Sequence, residues 1–311
     1  MSWSPPSANA CPACDAIAGA RNRTGSAARQ KPTRHLYCSR HAHGALNNAS
    51  TFATSASDGC AMNDSVQLFS SHSEAYAQFR PTYPPALFAW LASQCAGTEQ
   101  ALDIATGNAQ AALPLTGHFA RVFACDASPS QLFATEDWHR VHRFACRAEQ
   151  LPLKAGQLDL ITVAQALHWF ATDSFFTEVQ RALKPEGLFC AWCYSLLRIE
   201  PGLDEIIHRL HGEILDGFWP DGRASVDAGY RDISPPFPLI EVPSFHIEAS
   251  WSFAQLIGYL STWSAVKRWQ QKHARDLIAD LQPELLQRWG DPMRQRTVRW
   301  PLHFLAGYPG R

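Results

Sequence analysis

Two aspartates and the small residues that follow the first carry the most chemistry in this chain. Leu102-Asp103-Ile104-Ala105-Thr106-Gly107-Asn108-Ala109-Gln110 leads from an apolar run into a loop of small side chains. A second apolar run, Arg121–Asp126 (RVFACD), ends 19 residues beyond Gly107. A loop of this kind after a strand lets backbone approach a ligand closely at the switch point of a parallel sheet. An acid at the end of the next strand can accept hydrogen bonds from both hydroxyls of a ribose. A dinucleotide loop, G-x-G-x-x-G, would want glycine at 105, 107 and 110, where this chain has Ala, Gly and Gln. Gln110 is bulky where close helix–strand packing needs no side chain, which argues against NAD. The other spacing, small-x-Gly-x-small at Ala105, Gly107 and Ala109, fits.

His168 offers a second kind of chemistry. In Gln165-Ala166-Leu167-His168-Trp169-Phe170 the imidazole could act as a general base, or form one plate of an aromatic shelf. Arg198, Arg223, Arg231 and Arg268 are candidate carboxylate clamps, or exposed salt-bridge partners. Cys11, Cys14, Cys38 and His41 have the ligand types of a small zinc site. No strand-like or helical pattern surrounds them, so chance in a biased segment is the plainer reading and no metal is expected.

These residues need a frame. Pro84–Cys95 reads as a helix with prolines in its first turn. Strands are expected at Ala101–Ala105, Arg121–Asp126, Arg143–Cys146, Leu158–Val163 and Leu188–Tyr194. Helices are expected at Gln110–Phe119, weakened by Pro114, at Ser128–His139 with Ser128 as N-cap, and at Ser174–Leu183. This alternation predicts an α/β fold, a doubly wound Rossmann-like sheet covered on both faces. The aromatic-rich C-terminal third reads as a cap: helices at 202–216 and 252–264, with Phe245–Trp251 and Thr297–Leu305 pairing antiparallel at the sheet edge. The cofactor-binding core is then about 70–195, and the cap and last strands about 196–311.

Composition sets the outer bounds. With 27 Lys+Arg against 28 Asp+Glu the net charge is −1, which gives no reason to expect nucleic acid as a partner. No apolar run approaches the roughly 18 residues of a membrane span. Nine cysteines without regular spacing do not describe a disulfide framework, so a reducing, cytoplasmic setting is expected. Residues 1–61 hold 14 Ala and 8 Ser but only two acids, and they show no apolar period. This extension reads as disordered, as an organelle transit peptide, or as sequence upstream of a working start at Met62.

The motif order then points to a family. Phe79-Arg80-Pro81-Thr82-Tyr83-Pro84, the Asp103–Ala109 loop, Cys125-Asp126-Ala127-Ser128-Pro129, Ala148-Glu149-Gln150-Leu151-Pro152-Leu153, Gln165–Phe170 and Leu183-Lys184-Pro185-Glu186-Gly187 follow one another. This series resembles the class I S-adenosylmethionine-dependent methyltransferases, and within them the branch of trans-aconitate methyltransferase-like proteins. The resemblance spans most of residues 66–311 and implies S-adenosyl-L-methionine as cofactor. By the same resemblance, Asp103, Ala105 and Gly107 shape the methionine end, Asp126 and Ala127 the ribose, and Ala148 and Glu149 the adenine. Gln165 floors the cofactor, while Tyr76 and Arg80 close over it. The implied function is methyl transfer to a small molecule, foremost an oxygen of a small carboxylic acid. A non-catalytic cofactor-binding module and an NAD-dependent oxidoreductase stand as alternatives. The family usually carries glycine where this chain has Ala105 and Ala109. If either position adopts a positive φ, its Cβ costs on the order of 1 kcal/mol.

Overall fold

Burial alternates along the strands in a way that demands cover on both faces. In Leu183–Tyr194, Leu188, Cys190 and Trp192 enter the core on one face, and Phe189, Ala191 and Cys193 enter the core on the other. A computed structural model describes residues 81–133 and 138–311. Tyr76, Arg80, the four candidate zinc ligands and the 1–61 extension lie outside the described residues.

Seven strands form one sheet: β1 (Gln100–Ile104), β2 (Arg121–Asp126), β3 (Val141–Ala145), β4 (Leu158–Ala164), β5 (Leu183–Tyr194), β6 (His246–Trp251) and β7 (Arg296–Gly307). Their order is β3-β2-β1-β4-β5-β7-β6. The first five are parallel, while β7 runs antiparallel to both β5 and β6. The chain winds outward from β1 to β3, then crosses back to place β4 on the other side of β1. That reversal opens a crevice beyond the carboxyl ends of β1 and β4. The doubly wound, mixed sheet expected from the sequence is the one observed, with its last two strands antiparallel at the edge.

Helices α1 (Pro85–Gln94) and α2 (Ala112–Leu115) pack one face, with α3 (Pro129–Leu132) following β2. On the other face lies α4 (Asp173–Ala182), whose Phe175, Phe176 and Val179 are buried. The cap consists of α5 (Pro201–Arg209), α6 (Arg223–Asp227), α7 (Phe253–Ser261), α8 (Ser264–His273) and α9 (Leu277–Trp289).

Several boundaries move for identifiable reasons. The helix expected over 110–119 shrinks to α2, because Pro114 within it has no N–H to donate. The helix expected to start at Ser128 is described only as α3, and the Ser128 side chain does not cap it: its Oγ lies 2.8 Å from Ser130 Oγ. Strand β5 begins at Leu183 rather than Leu188, because the β4–β5 register shifts between Leu158 and Leu160 and carries Lys184–Gly187 within the strand. Helix α5 does not run smoothly to 216 but loosens into a π-helical turn, Leu210–Ile214, closed by Leu215 N donating to Leu210 O at 3.0 Å. Helices α6, α8 and α9 lie outside the helices expected from the sequence. The thiols of Cys125, Cys190 and Cys193 are buried and free, and burial pushes that of Cys193 up to about 12, so they pack as small hydrophobes.

Candidate cofactor and acceptor site

The loop after β1 is wound left-handed at three alternate residues: Ala105 (φ 53°), Gly107 (φ 53°) and Ala109 (φ 65°). Both alanines therefore adopt the conformation that glycine accepts without cost and an L side chain does not. Local hydrogen bonds offset the strain. Thr106 N donates to Cys125 O at 3.0 Å, tying the loop to β2, and Ala109 N donates to Thr106 O at 2.9 Å.

Asp103 is a strut beneath this loop. It is 1% exposed, and its two oxygens accept from Thr106 Oγ1 (2.6 Å) and Thr162 Oγ1 (2.7 Å). Burial pushes its carboxyl up to about 6, and the two threonine hydroxyls work against that rise. Neither threonine is among the site residues expected from the sequence. Thr162 did carry a signal, since a hydroxyl inside the apolar run LDLITV must find a buried partner.

Asp126 ends β2 beside the loop and is only partly buried. Its Oδ2 accepts from Gly107 N at 3.0 Å and its Oδ1 from Ser128 N at 2.9 Å. Burial raises its carboxyl, and these backbone donors oppose the rise. Each oxygen keeps a lone pair for a further donor. Ala127 is exposed next to it. Cys146 N donates to Asp126 O at 3.2 Å, which draws the chain after β3 alongside. There Ala148 is buried and Glu149 is half-buried, with Arg147 Nε at 3.5 Å.

Gln165 is the first residue beyond β4 and is also left-handed (φ 62°). Its backbone N donates to Trp192 O at 2.8 Å, and its Nε2 is buried with no partner among the described residues. A strained backbone carrying an orphaned buried donor marks a place built for something besides the fold. The structure thus gathers Asp103, Ala105, Gly107, Asp126, Ala127, Ala148, Glu149 and Gln165 at one end of four neighbouring strands. This is the crevice at the switch point.

His168 stands on the short turn Leu167–Trp169 that follows. Its ring lies 4.7 Å from that of Trp169, its Nδ1 is 3.3 Å from Tyr230 Oη, and Gly222 packs against it so closely that a Cβ there would meet His168 Cδ2 at 2.7 Å. Burial first, then the charge of Arg223, pulls the imidazole down to about 4. It is neutral at pH 7. Arg223 is the one of the four candidate clamps placed beside His168. Its Nε donates to Asp227 Oδ1 at 2.8 Å, its NH2 lies 3.1 Å from His211 Nε2, and its guanidinium sits 4.5 Å above the Trp219 ring. His211, on the π-helical turn, lies with its ring tilted 4.6 Å from that of Trp219 and is likewise pulled down to about 4 by burial and Arg223.

A doubly wound sheet, a small-residue loop with an acid after the next strand, and an orphaned donor after β4 define an enzyme of the nucleoside-cofactor α/β class. Residues 102–191 match the family described as a methyltransferase domain. A Dictyostelium discoideum protein provisionally described as a methyltransferase is 33% identical over 222 residues, covering 70% of this chain and 84% of that one. The structure provisionally described as a type II methyltransferase from Anaeromyxobacter dehalogenans superposes with TM-score 0.71 at 38% identity, covering 74% of this chain and 98% of that one. A Saccharomyces cerevisiae protein provisionally described as an S-adenosylmethionine-dependent methyltransferase is 26% identical over 128 residues, 38% of this chain and 44% of its own. The chain belongs to the methyltransferase family. It is an S-adenosyl-L-methionine-dependent methyltransferase with the class I fold. Among the described residues no helix is long and apolar enough to cross a membrane.

Proposed function

We propose that the chain methylates an oxygen of a small carboxylic acid, as in the trans-aconitate methyltransferase-like branch its motifs resemble. The residues present fit the cofactor: Asp126 has acceptor capacity for a ribose diol, the chain at Ala148 and Glu149 offers an edge for adenine, and Gln165 Nε2 is a buried donor without a partner. When bound, S-adenosyl-L-methionine supplies an electrophilic methyl group on a sulfonium. The observation that carries the acceptor assignment is Arg223. The guanidinium has five N–H groups, of which Asp227 and His211 engage two, and the remaining edge can receive a carboxylate. Trp219 beneath it and Trp263, whose ring lies 5.5 Å from that of Trp219, make the surroundings apolar, which strengthens that recognition. A carboxylate is already nucleophilic at pH 7, so this chain's part is alignment and exclusion of water rather than proton removal.

The test uses the full chain with methyl-labelled S-adenosylmethionine and a panel of mono-, di- and tricarboxylic acids, read by mass spectrometry for methyl esters. Ester formation that drops at least tenfold in kcat/KM for Arg223→Ala supports the reading. Methyl transfer confined to amines or carbon acids would replace it.

A further inference from the structure

We propose that Tyr230 is a positioning residue: its hydroxyl donates to His168 Nδ1 and fixes the imidazole as the Nε2–H tautomer, so that His168 offers the methyl acceptor a hydrogen-bond donor, not a base. Methyl transfer in this crevice is the premise for the donor's purpose. The tautomer is argued from the Tyr230–His168 contact and the burial of both groups, without that premise.

Tyr230 is fully buried, and its backbone is held left-handed (φ 61°), a strained state for an aromatic residue. Strain of that kind persists where the surroundings fix a side chain in place. Among the described residues the phenol oxygen has one hydrogen-bond partner, the ring of His168. Its own proton, buried with it, needs an acceptor, and His168 Nδ1 at 3.3 Å is there to take it. Burial holds the phenol far above its ordinary range, so Tyr230 keeps that proton throughout the working pH range. With the Nδ1 lone pair engaged, the ring proton of a neutral imidazole sits on Nε2. That atom has no protein partner among the described residues.

The ring is hemmed in on two sides: Gly222 packs against its Cδ2 edge, and the tilted Trp169 ring lies 4.7 Å away. Charges around it reach the same end: Arg223 on α6 disfavours protonation, and Asp232 only partly offsets it. A base would need its free lone pair toward the substrate, and here that lone pair faces Tyr230. A donor at Nε2 suits an anionic acceptor, since it can hold one carboxylate oxygen while the other attacks.

Long-range proton–nitrogen correlation spectra of the full chain labelled with 15N-histidine read the tautomer directly, with His168 assigned by loss of its signals in His168→Gln. The wild type should show His168 as a neutral Nε2–H ring down to pH 5. In Tyr230→Phe the two tautomers should mix, while burial and Arg223 still keep the ring neutral at pH 7. An Nδ1–H or protonated His168 in the wild type at pH 7, or a Tyr230→Phe spectrum identical to the wild type, overturns the proposal. Turnover gives an independent readout. His168→Gln keeps an N–H near Nε2 but cannot act as a base, so it should retain kcat within about tenfold while His168→Ala loses more. Equal loss of 10²-fold or more in both, the range of a true general base, also overturns it. If no carboxylic acid is methylated, the acceptor assignment fails while the spectra still decide the tautomer.

Discussion

Ala105 and Ala109 are strained by the same geometry but stand in different surroundings, and Ala109 is fully buried. A left-handed alanine costs roughly 1–2 kcal/mol, and glycine returns about half of that relief through its greater freedom when unfolded. Ala109→Gly should therefore raise the unfolding free energy by about 0.5–1 kcal/mol, measured by urea denaturation; a loss would mean that the Ala109 Cβ contributes packing beyond its strain. The two aspartates should separate by readout. Asp103→Ala leaves Thr106 and Thr162 without their acceptor in the core and should cost about 2–4 kcal/mol of stability. Asp126 is partly buried and its carboxylate accepts from the backbone amides of Gly107 and Ser128. Asp126→Ala should weaken S-adenosylhomocysteine binding at least tenfold by calorimetry while costing far less stability. Equal effects of the two substitutions on binding and stability would dissolve the distinction between strut and ligand.

Among the elements, the register shift between β4 and β5 depends on one glycine. A Cβ at Gly187 would meet Leu183 Cδ2 at 2.8 Å and Leu158 O at 2.9 Å, and backbone cannot yield as a flexible side chain would. Gly187→Ala should cost about 1–3 kcal/mol, seen as a lower melting temperature with the cofactor crevice intact. In the sequence Gly187 ends the Leu183–Gly187 motif between an expected helix and an expected strand, and its part in a bulge could not be read there, because the bulge exists only through β4. Elements set by local pattern were legible: β2 falls on Arg121–Asp126, where apolar residues meet a terminal acid, and α7 starts at a Ser252/Gln255 capping box. Helix α9 was not legible, because Pro283 lies inside it and proline reads as a breaker. The small-residue loop and Asp126 were legible for the same local reason. The link from His168 to Tyr230 spans 62 residues, and the left-handed turn at Gln165 leaves no mark in residue type, so both needed the fold.

At the scale of the molecule, the seam between sheet and cap concentrates groups whose titration opposes folding in acid. His168 beyond β4 and His211 on the π-helical turn are both pulled from 6.5 to about 4, with Arg223 between them. Between those values the unfolded chain binds two protons that the folded chain refuses, so stability falls as pH drops through that window. Asp103 works in the opposite sense: raised from 3.8 to about 6, it takes a proton in the folded state that the unfolded chain does not hold, and so adds stability as pH falls. For these three groups, near pH 5 the sum is two minus one, or one net proton favouring the unfolded chain, a contribution on the order of 1.4 kcal/mol per pH unit to the slope. The unfolding free energy measured in urea should thus fall from pH 6.5 to pH 4.5. The double variant His168→Gln with His211→Gln should remove that slope or reverse it, since Asp103 then dominates. A double variant with the wild-type slope would place the acid-sensitive groups elsewhere. The same two histidines border the proposed acceptor site, so acid should loosen the cap where the carboxylate enters before it reaches the buried parallel strands.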